Sequence, residues 1–229
     1  MTTDAAVFPG DKVPPGDAAA VDLLGALAYA QLTGFEELAA DAQMTPHLAA
    51  KLTFARMAAA MFERCERVGR RLEAHGASAE AAMAPFMTPV DQFHTRTTPS
   101  DWLEGIVKAY VGDGIVRDFH LEMARHLSGA DRDFVVDMLT SVPDAEAIVA
   151  EVRVAIAADE RLGGRLSLWA RRIMGETMQA TQSVAVERDS LTALLLGGEP
   201  GSDINEAGRM FARMTQAHTE RMGRLGLSA

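Results

Sequence analysis

Apolar residues in this chain recur at alternating spacings of three and four along successive long stretches. No stretch alternates apolar and polar residues for more than a few positions. The first pattern paints one face of a helix; the missing one is what a half-buried strand requires. The chain must therefore bury helical stripes against each other, which fixes an all-α class. Its apolar share is 48%, yet only 6% is aromatic, so Ala, Leu and Met supply most of the core. These side chains lose little rotamer freedom in a helix.

Turn residues divide the chain. Residues 1–16 are rich in Pro and Gly and are expected to form a flexible leader, with 17–229 as a single helical domain. A first helix is expected from Asp17 to about Gln43. Thr45-Pro46 then offers an N-cap followed by proline at the first helical position, opening a second helix that Gly76 closes. Residues 78–97 carry Pro85 and Pro89 and read as a long crossover, with a short helix capped by Ser78. Such a crossover joins helices that run parallel in a bundle. Thr98-Pro99 repeats the Thr-Pro start and opens a third helix to about Leu127. A fourth, 131–158, must bend at Pro143. Two more follow, 165–196 after Gly163-Gly164, and 203–224.

The formal charge of −10 argues against general affinity for nucleic acid or an anionic membrane face. A single cysteine, Cys65, excludes an internal disulfide. No uninterrupted apolar run reaches the roughly 18 residues that span a bilayer, and the N-terminal stretch lacks signal-peptide character, so a cytoplasmic location is expected.

Each predicted seam is apolar until its middle. The first helix gives Leu24, Ala28, Gln31, Phe35 and Leu38; the second gives Phe54, Met57, Met61, Arg64 and Val68. The third gives Leu103, Ile106, Tyr110, Asp113, Arg117 and His120, and the fourth Phe134, Met138 and Ser141, with Asp144 beside it. Gln31, Arg64, Asp113 and Ser141/Asp144 are thereby candidates for one polar layer at the bundle centre. A charge there requires a partner, because desolvation costs several kcal/mol per ion.

The stretches LAYAQLTGFEELAADAQM, DWLEGIVKAYVGDGIVRDFH, LWARRIMGETMQATQ and VAVERDSLTALL resemble actinobacterial ferritin-like proteins of the tRNA-isopentenyladenosine hydroxylase-like family, from about residue 20 onward. The resemblance implies a ferritin-like four-helix bundle with a long crossover between helices two and three and two additional C-terminal helices. It also implies a di-iron site built from carboxylates and two Glu-x-x-His pairs. By position, the first carboxylate becomes Gln31, the second-helix pair Met61 and Arg64, and the fourth-helix pair Ser141 and Asp144; Asp113 alone matches. A guanidinium stays protonated and cannot ligate a metal, but it can pair with carboxylates. No metal or other cofactor is therefore expected.

Two classes of function stay open. One is a non-catalytic binding or interaction scaffold, acting on an unknown protein partner or by self-association. The other is an iron-dependent hydroxylase of modified tRNA or a small molecule. A third site around Asp113, His120 and Glu176, with His120 and Glu176 lining a pocket, is a further candidate. Asp91/His94 and Glu122/His126 have ligand spacing but read as a surface cap and a solvated pair, and Arg161, Arg165, Arg171 and Arg172 as a solvated basic face. Gly112 and Gly114, flanking Asp113, leave room either for another helix or for a ligand.

Overall fold

A computed structural model describes residues 15–127, 129–140, 146–196 and 204–229, and among them every regular element is helical. In chain order these are α1 (Pro15–Asp41), α2 (Leu48–Ala74), α3 (Ala79–Met83), a 3-10 turn (Ala84–Phe86), α4 (Met87–Arg96), α5 (Trp102–Ala124), α6 (Gly129–Thr140), α7 (Glu146–Ala158), α8 (Glu160–Val186), α9 (Asp189–Leu195) and α10 (Ile204–Leu225). The expected leader up to residue 14 and the expected bend at Pro143 lie outside the described residues.

α1 and α2 form an antiparallel hairpin: Phe35 stacks on Phe62 and Gln31 meets Arg64. α5 runs antiparallel to α1, since Gly105 abuts Asp41 while Lys108 meets Glu37. The crossover of α3, the 3-10 turn and α4 thus returns the chain so that α2 and α5 are parallel, as its length predicts. α6 flanks α2 through ion pairs of Arg71 and His75 with Asp131 and of Arg67 with Asp137, and Phe134 lies under both arginines. α4 and α8 pack together on the α1–α5 pair, and α10 packs on α5. Asp22 of α1 accepts hydrogen bonds from Arg188 and Ser190, tying the α8–α9 corner to the first helix.

Several boundaries differ from the sequence reading, each for a local reason. α2 starts at Leu48, because Thr45 Oγ1 accepts from the N–H of His47 in a turn instead of capping a helix. α5 starts at Trp102, because the Asp101 carboxylate accepts from the Glu104 N–H, and Glu104 reaches back to the N–H of Ser100. Asp159 caps α8 at Glu160, so Gly163 and Gly164 lie inside the helix. That helix ends at Val186, and α9 is separate. Ser78 does cap α3, and Gly76, at φ 71°, closes α2. There Ala77 N–H bonds Leu72 O and Gly76 N–H bonds Glu73 O, the paired bonds of a left-handed helix stop.

α1 is apolar on nearly every side. Within Asp17–Asp41 an 18-residue window reaches a mean hydropathy of 1.3, so α1 is long and apolar enough to cross a membrane although Asp22, Gln31 and Glu36 interrupt its apolar run. Of that window, 61% is buried against the other helices. Leu23, Leu24 and Leu27 are fully enclosed, with Phe54, Phe86, Phe119 and Met123 in the same continuous core.

Close approach of α1 and α3 depends on Gly25, where an added Cβ would stand 2.2 Å from the carbonyl oxygen of Ala82. Gly175, on the exposed side of α8, has nothing within 4 Å. Alanine in a helix interior is worth about 1 kcal/mol over glycine. Gly175→Ala is expected to stabilise by up to about that amount, while Gly25→Ala destabilises by about 2 kcal/mol or more despite the same propensity gain. Urea denaturation of both variants checks the opposite signs.

Candidate functional site

At the α1–α2–α5 junction, Arg64 Nε donates to Gln31 Oε1 at 2.7 Å and Nη2 donates to Met61 Sδ at 3.0 Å. The same Nη2 stands 3.9 Å from Asp113 Oδ1, an ion pair without a hydrogen bond. Gln31 is 2% exposed, and the Arg64 side chain 11%. The structure therefore brings together Gln31, Met61, Arg64 and Asp113 in one layer. Ser141 and Asp144 lie outside the described residues.

Beside this layer a cavity of about 100 Å³ runs between α1 and α5, closed by α4 and α8. Its walls are mainly apolar: Ala26, Ala30, Leu38, Val90, Phe93, Val116, Phe119 and Val184 contribute. Gln31, Met61 and Asp113 form part of the wall, so the polar layer borders the cavity. Gly112 also lines it, and its missing side chain leaves ordinary contacts of 3.8 Å to Ile173 and Phe93. Gly114 serves a different neighbour, since a Cβ there would meet Arg221 Cδ at 2.7 Å. The two glycines thus divide the alternatives that the sequence left open.

His120 is on the cavity wall and 3% exposed. Its Nδ1 lies 2.8 Å from Val116 O. A carbonyl only accepts, so Nδ1 carries the proton and Nε2 presents a bare lone pair. Burial, opposed by the Val116 bond and the Asp113 charge, pushes the ring down to about 4, so it is neutral at pH 7. Nε2 has no hydrogen-bond partner.

Glu176 does not join this wall. Its carboxylate lies 3.4 Å from Arg96, and its neighbour Thr177 faces the cavity instead. Successive residues project about 100° apart around a helix, so one step changes the face. Asp91 and His94 also separate: Asp91 accepts from Tyr29 OH at 2.6 Å, while His94 turns to Glu37. Glu122 pairs with Arg213 at 2.6 Å rather than with His126. The basic face is neutralised where Arg165 pairs with Asp101 at 2.6 Å.

At the far end of the cavity His94 joins three residues that the sequence reading did not single out: Glu37, Asp41 and Lys108. Lys108 is 5% exposed and bonds the Glu37 carboxylate. Burial alone would raise Glu37, but His94 and Lys108 hold it at about 2. Asp41 is 6% exposed and accepts no hydrogen bond among the described residues. Burial lifts it to about 6, with Lys108 opposing and Glu37 reinforcing the shift. The available signal was two acids at i, i+4 on an otherwise apolar first helix, and one lysine in the apolar start of the third.

A second buried set joins α5 to α10. Arg221 Nη2 donates to Asp118 at 2.6 Å. Beside it His218 has no partner for either ring nitrogen and is pushed by burial and by Arg221 down to about 4. These residues are not part of the cavity wall.

Because the folded Asp41 binds its proton more tightly than the unfolded chain does, its ionised form costs stability. That cost is absent below the ordinary aspartate value of 3.8 and complete above about 6. Asp41→Asn removes it. The variant is expected to be more stable than the parent by about 2 kcal/mol at pH 8 and equal to it near pH 4. Denaturant melts at the two pH values check this.

A search of the curated proteins finds no match. Residues 15–198 match a family described as "Ferritin-like domain, actinomycetes". The match spans the antiparallel hairpin, the crossover, the polar layer and the whole cavity wall. This chain belongs to the actinomycete ferritin-like domain family.

Proposed function

We propose that this chain is a ferritin-like protein in which a guanidinium has replaced the metal pair, leaving a non-catalytic bundle that serves as a binding scaffold. One observation carries the reading: Arg64 bonds Gln31 and Met61 in the layer where Asp113 is the only carboxylate among the described residues. A di-iron pair needs several carboxylate oxygens and imidazole nitrogens around two cations. The layer offers an amide, a thioether, one carboxylate and a fixed positive charge. Arg64 would repel an incoming cation, and among the described residues no side chain there replaces the missing oxygens. The residues present do not fit a di-iron centre. Among the described residues, no group of three or more His, Cys, Asp or Glu side chains is close enough to hold a metal ion. The tRNA-hydroxylase activity that the sequence resemblance implies needs the intact centre, so it is not part of this reading.

Metal content tests the proposal. Protein incubated anaerobically with ferrous iron, then desalted, is expected to retain far less than one atom per chain. Stoichiometric retention, lost in Asp113→Ala, would overturn it and favour the iron-dependent hydroxylase.

Removing the guanidinium should also weaken the fold. Arg64→Met leaves Gln31 and the partly buried Asp113 without their cation. The pair is long and Asp113 is about one-fifth exposed, so the expected loss is about 2 kcal/mol rather than the 3–5 kcal/mol of a fully buried pair. An unchanged melting temperature would mean that Arg64 does not hold the layer.

A further inference from the structure

We infer that the cavity between α1, α4, α5 and α8 binds a small aliphatic amine, an ammonium on a hydrocarbon body. The inference rests on the scaffold reading and names the ligand class of that scaffold. On its walls the Nδ1 of His94 and the Nε2 of His120 are buried without a hydrogen-bond partner, and no donor bonds the carboxylates of Asp41 and Asp113 among the described residues. His120 carries the most weight. It is 97% buried on the wall, with Nδ1 committed to Val116 O and Nε2 without any partner. A buried acceptor without a donor costs roughly 1–3 kcal/mol, and natural cores seldom leave one. A ligand that brings N–H groups removes that cost.

Charge selects a cation. Around the cavity, Glu37 is matched by Lys108, and Asp113 by the guanidinium of Arg64 at 3.9 Å. Asp41 has no cation of its own, and His94 faces Glu37 instead. One positive charge balances the set. Arg64 donates to Gln31 and Met61 and makes no hydrogen bond to Asp113, whose oxygens are free to accept.

Size and shape select a chain. Among the described residues Asp113 and His120 bring no third His, Cys, Asp or Glu with them, too few ligands for a bare metal ion. A water-sized particle needs about 10–15 Å³ of such space, so a cavity of about 100 Å³ takes roughly seven to ten non-hydrogen atoms. Phe93, Val116, Phe119 and Val184 provide apolar contact for the body.

The test uses n-hexylamine, 1-hexanol and hexanoate against the full chain, by calorimetry and by ¹⁵N NMR of the histidine rings. Hexylamine is expected to bind saturably at one site, at least tenfold tighter than hexanol, and hexanoate not at all. The His120 Nε2 resonance should shift on hexylamine binding as the lone pair accepts a hydrogen bond. Asp113→Asn should weaken hexylamine several-fold and leave hexanol unchanged. Equal binding of amine and alcohol, preference for hexanoate, or a His120 signal unmoved at saturation overturns the inference. The NMR readout needs no variant, so a misfolded Asp113→Asn leaves the test intact. Iron retention and amine binding are separate measurements. A protein that takes up iron sinks the scaffold reading, whereas one that takes up neither sinks only the ligand.

Discussion

Two helices, α1 and α5, are buried on almost every side, and every polar group they carry has to be matched without water. Asp22 is matched by Arg188 and Ser190, Gln31 by Arg64, Lys108 by Glu37, and Glu104 by Arg165 and the Ser100 N–H. Even the carbonyl of Glu104 is used, accepting from Trp169 Nε1 at 2.9 Å. The partners come from five different elements. This matching is what docks α2, α8 and α9 in register around the central pair, since one-sided loss of any pair strands a desolvated group.

Against that background the exceptions have meaning. Asp41, Asp113 and His120 Nε2 gain no donor among the described residues, and all three face the same cavity, whereas Tyr110 Oη of α5 is buried without a partner away from it. Fold and site are therefore coupled: the two central helices leave His120 Nε2 and the carboxylates of Asp41 and Asp113 unbonded beside a space that can take another molecule.

The sequence made the bundle legible because its strongest signals are local and periodic. Three-four spacing gave the helices, Gly76 and Ser78 gave their ends, and the proline-rich crossover gave parallel α2 and α5. Boundaries moved where competing caps were present: Asp101 against Thr98, and Asp159 against the glycine pair. The layer was legible because Gln31, Arg64 and Asp113 each interrupt an apolar seam at the same depth, and Met61 enters it one turn before Arg64. The cavity was not. Asp41 and Lys108 lie on stripes adjacent to those seams, and only the packing of α4 and α8 makes these stripes interior. The same geometry turned Glu176 away and put Thr177 in its place, a difference of one residue that no periodicity argument resolves.

Arg64 illustrates how a layer built for one purpose can serve another. A guanidinium is planar and directs its N–H groups within that plane. Here Nε points at Gln31 and Nη2 at the Met61 sulfur, both on the hairpin of α1 and α2. The charge consequently stays on the hairpin side, and Asp113, on α5, feels its field across 3.9 Å without surrendering its lone pairs. Had the arginine bonded Asp113 directly, the cavity would have lost its central acceptor. The Met61 thioether, too soft a donor to hold a hard cation, is what draws the guanidinium aside and lines the cavity in the same stroke. Gln31, Met61 and Arg64 thus leave a polar wall open toward an apolar slot.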